Sequence, residues 1–256
     1  MKLTKKINPN TSLSNSDFLN LIQNFESTGK IIDDRGRNKI KAFHIDENII
    51  NVKSFKIPNI INKFAYKFLR QSKASRSFNF ANILLSKGIK TPKPLAYYEY
   101  TSWFQYLNSY YFSEHLKYDL TYRELVMNSN YPDYENILRQ FTKFTWQMHE
   151  QDIYFKDHSP GNTLIVKNGT VYDFYLIDLN RMKFFNLDFD ARITNFSRLT
   201  PKKEMVKIMS DEYAKLINEP FEKVYQKMWF ETDKFQKKFF RKVRLKKKYL
   251  GRDTVY

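Results

Sequence analysis

Three polar side chains stand at the ends of two apolar runs in the middle of the chain. Asp157 and Asn162 lie five positions apart in the loop that precedes the run TLIV at 163–166. Asp178 directly follows the run FYLI at 174–177. Runs of this length and composition are typical of buried β-strands.

A tight turn is predicted between the two runs, at Lys167-Asn168-Gly169, because the Asn-Gly pair favours the backbone of a β-hairpin. Paired strands fix the spacing of the residues at their ends. We therefore expect Asp157, Asn162 and Asp178 to converge.

Converging oxygens of these types suit phosphoryl transfer. Asp157 could accept a proton from a hydroxyl group, and Asn162 and Asp178 offer the hard oxygen ligands that Mg²⁺ shares with phosphates. In such reactions the protein supplies positioning and neutralises charge rather than forming covalent intermediates.

The spelling of this region resembles a known family. The loop DHSPGN at 157–162 resembles the D-x-x-x-x-N catalytic loop of the protein-kinase-like fold, and IDL at 177–179 stands where D-F-G would be. The PGN spelling and IDLNR at 177–181 resemble the lipopolysaccharide kinases, the Kdo/heptose kinase family of Gram-negative bacteria. Phe155 occupies the place of the H-R-D histidine.

The resemblance implies an α+β, two-lobed protein-kinase-like fold in one domain, residues 1–256. A small β-rich N-lobe is expected at 1–111 and a helical C-lobe, with a basic C-terminal helix, at 112–256. It also implies ATP and Mg²⁺, with Asp157 as the catalytic residue and with Asn162 and Asp178 holding metal and nucleotide.

A lysine that pairs the ATP phosphates is implied at Lys53, because I-I-N-V-K at 49–53 resembles the V-A-I-K strand. Lys56 is the alternative. The helix predicted at 75–87 stands where a kinase carries the glutamate partner of that lysine. Asn79 takes that place, and no acidic residue lies between 70 and 90, so the partner is left open.

Other elements are predicted from periodicity and from turn residues. They are a helix capped by Ser16 or Asp17 and ended by Gly29, a hairpin turning at Asp34-Arg35-Gly36 with Arg35 or Arg37 near phosphates, and two strands joined near Tyr106-Leu107-Asn108. A helix is also predicted within 131–153, with His149 near its end as a core residue, and two helices follow at the C-terminal end.

Composition limits the class of protein. The chain has 256 residues with 17% aromatic side chains and no cysteine, which excludes disulfides, thiolate metal sites and a disordered chain. No signal peptide and no apolar run of membrane-spanning length is evident, so we expect a soluble, cytoplasmic protein. The net charge of +17 attracts polyanions: nucleic acid, anionic lipid or a phosphorylated glycolipid.

The end of the chain is strongly basic. Between Lys234 and Lys248 there are nine Lys or Arg residues and no acid, beside an apolar stripe that includes Phe235, Phe239 and Val243. Such a helix either lies peripherally on the anionic inner membrane or presents a solvated face.

The sequence favours an ATP-dependent kinase that phosphorylates a Kdo or heptose hydroxyl of the lipopolysaccharide inner core. The expected partners are ATP, this anionic glycolipid and an anionic membrane, with no nucleic acid. A kinase of another class and a non-catalytic nucleic-acid-binding protein are the alternatives. Arg181 either binds a substrate phosphate or ties down its own segment.

Overall fold

The computed structural model describes residues 2–34, 38–55, 71–101 and 106–250. The predictions for Arg35, Arg37 and Lys56 lie outside these residues. The chain divides into two compact units: Met1–Lys117 with Ile177–Asn180, and Tyr118–Leu176 with Arg181–Tyr256.

The first unit is built on a six-stranded antiparallel sheet with the strand order β1-β5-β6-β4-β3-β2. Its elements are β1 (Lys2–Ile7), α1 (Asn15–Gln23), β2 (Lys30–Asp33), β3 (Asn38–Ile45), β4 (Asn48–Phe55), α2 (Lys73–Ser86), β5 (Pro94–Thr101) and β6 (Tyr106–Glu114).

Helix α1 begins two or three residues earlier than its sequence suggested. Ser14 is the N-cap, and it forms a reciprocal capping box with Asp17, so the prediction of a cap at Ser16 or Asp17 is wrong. The helix ends at Gln23, and turns continue the chain to Gly29. All three candidates are residues of the capping type, which is why spacing alone did not separate them.

Among the described residues, each face of the sheet carries one helix. The α1 face holds an aromatic core in which Phe18 meets Tyr98 and Phe112 with ring centroids 5.9 and 5.0 Å apart. The opposite face packs on α2, where the ring of Phe78 lies 5.5 Å from that of Tyr97. Side chains alternate between faces along a strand, so successive residues reach different helices.

Lys53 lies on the α2 face. It pairs across β4 and β6 with Tyr111, and Tyr111 pairs across β6 and β5 with Tyr97. Its neighbour Val52 is fully buried in the α1-side core. The predicted strand around Lys53 is therefore confirmed, with the lysine directed away from that core.

The residues predicted to form the turn between β5 and β6 belong to a strand. Tyr106 pairs with Thr101, so the residues Tyr106-Leu107-Asn108 that were expected to turn are the first residues of β6. Aromatic and apolar residues dominate this stretch, and the sheet takes them up.

A buried lysine, Lys41, binds the carbonyl groups of the segment that follows α1. The ammonium of Lys41 donates to the carbonyls of Phe25, Glu26 and Thr28 at 2.7, 3.1 and 2.8 Å. It also lies 5.4 Å from the Phe25 ring centroid. Carbonyls beyond a helix end need donors, and this lysine, 5% exposed, supplies them from β3.

The second unit has two small sheets, of order β10-β9-β7 and β11-β8, and five helices among the described residues. Its elements are β7 (Leu120–Thr121), α3 (Tyr122–Met127), α4 (Tyr134–Glu150), β8 (Ile153–Phe155), β9 (Thr163–Asn168), β10 (Val171–Leu176), β11 (Met182–Phe184), α5 (Phe189–Thr194), α6 (Lys203–Ile217) and α7 (Phe221–Leu250).

The predicted hairpin is present as β9 and β10, with its turn shifted by one residue. Asn168 pairs with Val171, so the turn residues are Gly169 and Thr170, with Gly169 at φ 67°. Strand β10 ends at Leu176, one residue before the predicted end.

Helix α4 supplies much of the core of this unit. Its buried apolar residues recur at three- and four-residue spacing, as predicted. His149 is fully buried; Nδ1 lies 2.7 Å from the Tyr213 hydroxyl, and Nε2 lies 3.1 Å from Asn195 Oδ1. The interpretation of His149 as a satisfied core residue is confirmed.

The mixed α+β content, a β-rich sheet region followed by mainly helical residues, agrees with the fold class predicted from the sequence. Among the described residues, no helix is both long and apolar enough to span a membrane.

We expect Lys41→Met to lower the free energy of unfolding by about 2–4 kcal/mol, because buried carbonyls lose a charged donor. Lys39→Met is the matched control, two residues earlier on β3, where the lysine forms a partly exposed ion pair with Glu26. That change should cost much less, because an exposed ion pair contributes little to stability. Urea unfolding followed by circular dichroism measures both, and equal costs would contradict the structural role of Lys41.

Candidate active site

Lys53 and Asp178 form an ion pair in the first unit. Lys53 Nζ donates to Asp178 Oδ1 at 2.8 Å, and Asn180 Nδ2 donates to the same oxygen at 2.6 Å. Burial alone would raise the pKa of Asp178, but the charge and hydrogen bond of Lys53, the Asn180 bond and the charge of Lys73 together lower it. The carboxylate is therefore ionised at neutral pH, and with 40% of the side chain exposed it remains accessible.

The backbone at Asp178 is strained. Its φ of 58° lies in the left-handed region, directly after strand β10 and its neighbour Ile177. Such a conformation costs a non-glycine residue about 1 kcal/mol, and it is tolerated best by Asp and Asn. Strain of this kind is common where a side chain must be aimed at a ligand.

Helix α2 reaches this carboxylate through an amide instead of an acid. Ser77 Oγ lies 3.4 Å from Asn180 Oδ1, and the Asn180 amide nitrogen holds Asp178. Asn79, which stands at the place of the kinase glutamate, instead donates to Ser75 Oγ at 3.3 Å. The partner of Lys53 that the sequence left open is therefore Asp178 itself.

The loop 157–162 in the second unit runs from β8 to β9. Asn162 Nδ2 donates to the Asp157 carbonyl at 2.8 Å, and a 3-10 turn at Pro160–Asn162 closes the loop. Because the amide nitrogen faces that carbonyl, the Asn162 Oδ1 is the atom left for a metal ion.

The carboxylate of Asp157 is held by two arginines through one of its oxygens. Arg181 Nη1 and Arg198 Nη1 donate to Oδ1 at 2.9 and 2.8 Å. Within the described part of the chain, Oδ2 has no hydrogen-bond partner. An oriented carboxylate with one open oxygen is what a general base requires. Arg181 therefore holds its segment to Asp157, one of its two predicted roles.

Aromatic side chains pack against the loop 157–162 through His158. Phe155 is fully buried, and its carbonyl accepts a hydrogen bond from Asn195 Nδ2 at 2.8 Å. The His158 ring lies between Phe141 and Phe155, with centroid distances of 5.4 and 5.8 Å. Phe155, at the place of the H-R-D histidine, is thus part of a packed aromatic layer.

The side chain of another cation, Arg123, approaches the backbone of Gly161 closely. A Cβ on Gly161 would lie 2.9 Å from Arg123 Nη2, closer than such contacts occur in proteins. Arg123, from α3, therefore lies against the turn of the loop, and it is the third arginine of the second unit beside these residues.

The structure thus brings Lys53 together with Asp178, and Asp157 together with Asn162. Sequence reasoning missed Ser77, Asn180 and Arg198. Asn180 follows Asp178 by two in the IDLNR spelling, so its proximity was readable from the sequence. Arg198 is 41 positions from Asp157, and no local pattern marks it.

We expect His158 to make stability depend on pH. Burial, helped by nearby His149, lowers the pKa of His158 to about 3, and the Asn195 backbone offsets this only in part. In the unfolded chain His158 takes up a proton near pH 6.5, whereas in the folded chain it stays neutral down to about pH 3. The contribution of neutral His158 to the free energy of unfolding is fully present above pH 6.5. It falls by about 1.4 kcal/mol per pH unit as the pH drops towards 3.

His158→Phe should therefore reduce the slope of unfolding free energy against pH by about 1.4 kcal/mol per unit between pH 6 and 4. Both ring nitrogens are buried without a well-formed hydrogen bond among the described residues, so the phenyl ring should fold well at pH 8. The control is His44→Gln at an exposed position. Parallel slopes for wild type and His158→Phe would refute the assignment.

Comparison with known proteins gives a likeness in fold. No protein-family model matches the sequence, and no curated protein matches it. Among solved structures, WaaP in complex with acyl carrier protein matches with a TM-score of 0.63 and 14% identity, over 93% of this chain and 98% of that one.

Solved structures of this fold are numerous, with 978 matching chains, so the likeness gives the architecture and leaves the reaction to be argued from the site. The fold of this chain is that of WaaP, and the resemblance to the lipopolysaccharide kinases indicated by its motifs is confirmed at the level of the fold.

Proposed function

We propose that this protein is an ATP-dependent kinase that phosphorylates a Kdo or heptose hydroxyl of the lipopolysaccharide inner core. The observation that carries the proposal is the Asp157 carboxylate, fixed through Oδ1 by two arginines and open at Oδ2. It stands in a loop whose Asn162 locks the backbone of Asp157.

The spelling of the site supports the acceptor class. The PGN and IDLNR segments of this chain resemble those of the lipopolysaccharide kinases, and the fold it shares with WaaP agrees with a kinase-like architecture. At 14% identity the particular sugar and hydroxyl belong to the proposal.

Mg²⁺ fits the residues available. Asn162 has its Oδ1 turned away from its own hydrogen bond, and Asp178 is ionised and accessible. Both offer the hard oxygens that Mg²⁺ prefers, and these two residues would hold it. When bound, Mg²⁺ neutralises charge on the nucleotide phosphates.

The protein residues then act on the two substrates. Lys53 binds the α- and β-phosphates of ATP as a point charge. Asp157 Oδ2 accepts the proton of the acceptor hydroxyl as its oxygen bonds to the γ-phosphorus, and the bond to the ADP oxygen breaks. The arginines keep Asp157 oriented throughout.

Helix α7 supports a site of action at a membrane. It is anchored by Val224 and Met228, which are fully buried, and beyond Thr232 none of its described side chains is buried. Beyond Thr232, four cations recur at four- and three-residue spacing, which places them on one face of the helix: Lys237, Arg241, Arg244 and Lys248.

Apolar side chains accompany these cations along the same part of the helix. Phe235, Phe239 and Val243 are half-buried along it, and Phe240, Leu245 and Tyr249 are exposed by 45, 46 and 71%. A helix with a basic face and exposed aromatic side chains binds the surface of an anionic bilayer. The proposal therefore places this kinase peripherally at the inner membrane, on the cytoplasmic side.

A protein partner is a second candidate for this surface. WaaP was solved with acyl carrier protein, so we include such a carrier among the proposed partners of this chain. Co-elution of the two proteins in size-exclusion chromatography tests it. A purely nucleic-acid-binding protein would use the charge but would give no reason for the Lys53–Asp178 pair.

Asp157→Asn should lower turnover by about a hundredfold or more, because the amide cannot accept the proton. Asp178→Asn should be at least as damaging, since it removes a metal ligand. Asp173→Asn, on strand β10 five residues before Asp178, removes the same charge outside the site and should keep wild-type turnover. Transfer of radiolabelled phosphate from ATP to purified lipopolysaccharide acceptor measures this, and full activity in either site variant would end the proposed mechanism.

The membrane proposal predicts that a triple change of Arg241, Arg244 and Lys248 to Gln weakens binding to anionic vesicles. Each cation contributes about 1 kcal/mol near such a surface, so we expect a loss of about a hundredfold in the partition coefficient at low salt.

The matched control removes three exposed lysines elsewhere in the second unit, at Lys143, Lys167 and Lys207. Co-sedimentation with phosphatidylglycerol vesicles at two salt concentrations compares the three proteins. Equal binding by all of them would show that the basic face of α7 is merely solvated.

A further inference from the structure

Two guanidinium groups meet at one carboxylate oxygen in the second unit. Arg181 Nη1 and Arg198 Nη1 both donate to Asp157 Oδ1, and Arg198 Nη1 also donates to the Lys156 carbonyl at 2.8 Å. Two positive charges and one negative charge leave this cluster at +1 (2 − 1). A single arginine would suffice to orient a carboxylate, so the second cation calls for an explanation.

Most donors of the two arginines are unused within the described part of the chain. Each guanidinium engages through a single nitrogen, whereas it carries five N–H groups in a planar fork. Arg198 Nε is buried and has no hydrogen-bond partner there. Arg181 is 50% exposed, which leaves its outer edge open to an incoming group.

The position of Arg198 is fixed by packing. Its guanidinium lies 5.3 Å from the ring centroid of Phe235 on α7, at cation–π distance. Glu231, an acid four positions before Phe235 on the same helix, is already engaged by Lys227 and Lys234 at 3.6 and 3.7 Å. A stacked guanidinium that shows no second ion pair within the described ranges is pre-organised for an external anion.

We propose that Arg181 and Arg198 form an anion site for the acceptor. The site binds a carboxylate or phosphate monoester that the acceptor sugar carries next to the hydroxyl whose proton Asp157 accepts. Fork-shaped guanidinium groups bind such planar or tetrahedral oxyanions through paired N–H donors. The identity of the sugar rests on the proposed function; the anion site itself does not.

The site gives the acceptor anion a second role. While the anion engages the outer donors, each Nη1 keeps its bond to Asp157 Oδ1, so the base stays oriented. The same two residues thereby tie the recognition of the acceptor to the placement of its hydroxyl near Oδ2. A neutral acceptor would lose binding and alignment together.

The test is calorimetric titration of the nucleotide-free protein with three soluble sugars: Kdo, its methyl ester and a heptose phosphate. We expect wild type to bind at least one acid about tenfold or more tightly than the neutral ester, as one charge-assisted pair implies. Arg181→Gln and Arg198→Gln should abolish that preference. Arg198→Lys should restore part of it, and Lys207→Gln, on α6, should keep all of it.

Preference for the carboxylate acid or for the phosphate identifies the source of the anion, and either supports the site. Ester binding equal to acid binding, or a preference that survives in both glutamine variants, would overturn it. So would glutamine variants that raise the KM for ATP and leave the acceptor KM unchanged, because the arginines would then serve the nucleotide. Arg181 is half exposed, so its variant folds even where Arg198→Gln does not.

The outcome separates this inference from the proposed function. Arginine-dependent binding of an acid without phosphoryl transfer keeps the anion site and rejects the kinase. Transfer of phosphate to acid and ester with equal KM keeps the kinase and rejects the anion site.

Discussion

The ion pair between Lys53 and Asp178 is the contact on which the candidate site depends. It joins β4 to a segment 125 positions later, and that segment, Ile177–Asn180, belongs to the first unit although its chain neighbours belong to the second. No described residue of α2 is acidic, so the lysine takes its counter-charge from the proposed metal ligand. The pairing and the separate Asn180 bond together keep Asp178 ionised, with its pKa below the usual range.

On the proposed function, this pairing has a consequence for nucleotide binding. In kinases whose lysine has a helix-borne glutamate partner, the lysine and the metal ligand are separate. Here Lys53 and Asp178 neutralise each other; with ATP and Mg²⁺ bound, Lys53 would pair with phosphate and Asp178 would hold the metal. The Asn180 amide, itself held by Ser77, would still bind Asp178.

The sequence predicted the elements whose information is local. The β9–β10 hairpin, the loop that holds Asp157 and the strand around Lys53 all follow from apolar runs and turn residues. The prediction failed where several residues could serve as the helix cap, as at the start of α1, and where contacts join residues far apart in the sequence. Arg198 lies in a stretch without periodicity, so only the folded chain shows that it reaches the base.

Helix α7 has a geometric consequence because a continuous helix is a spacer of fixed length. Phe235 contacts the arginine that holds Asp157, and the exposed Tyr249 lies fourteen residues further along the same helix. At 1.5 Å per residue these positions are roughly 20 Å apart. If this part of α7 lies on a bilayer as proposed, the base stands within roughly 20 Å of the docked residues and would reach the innermost sugars more readily than those further along a saccharide.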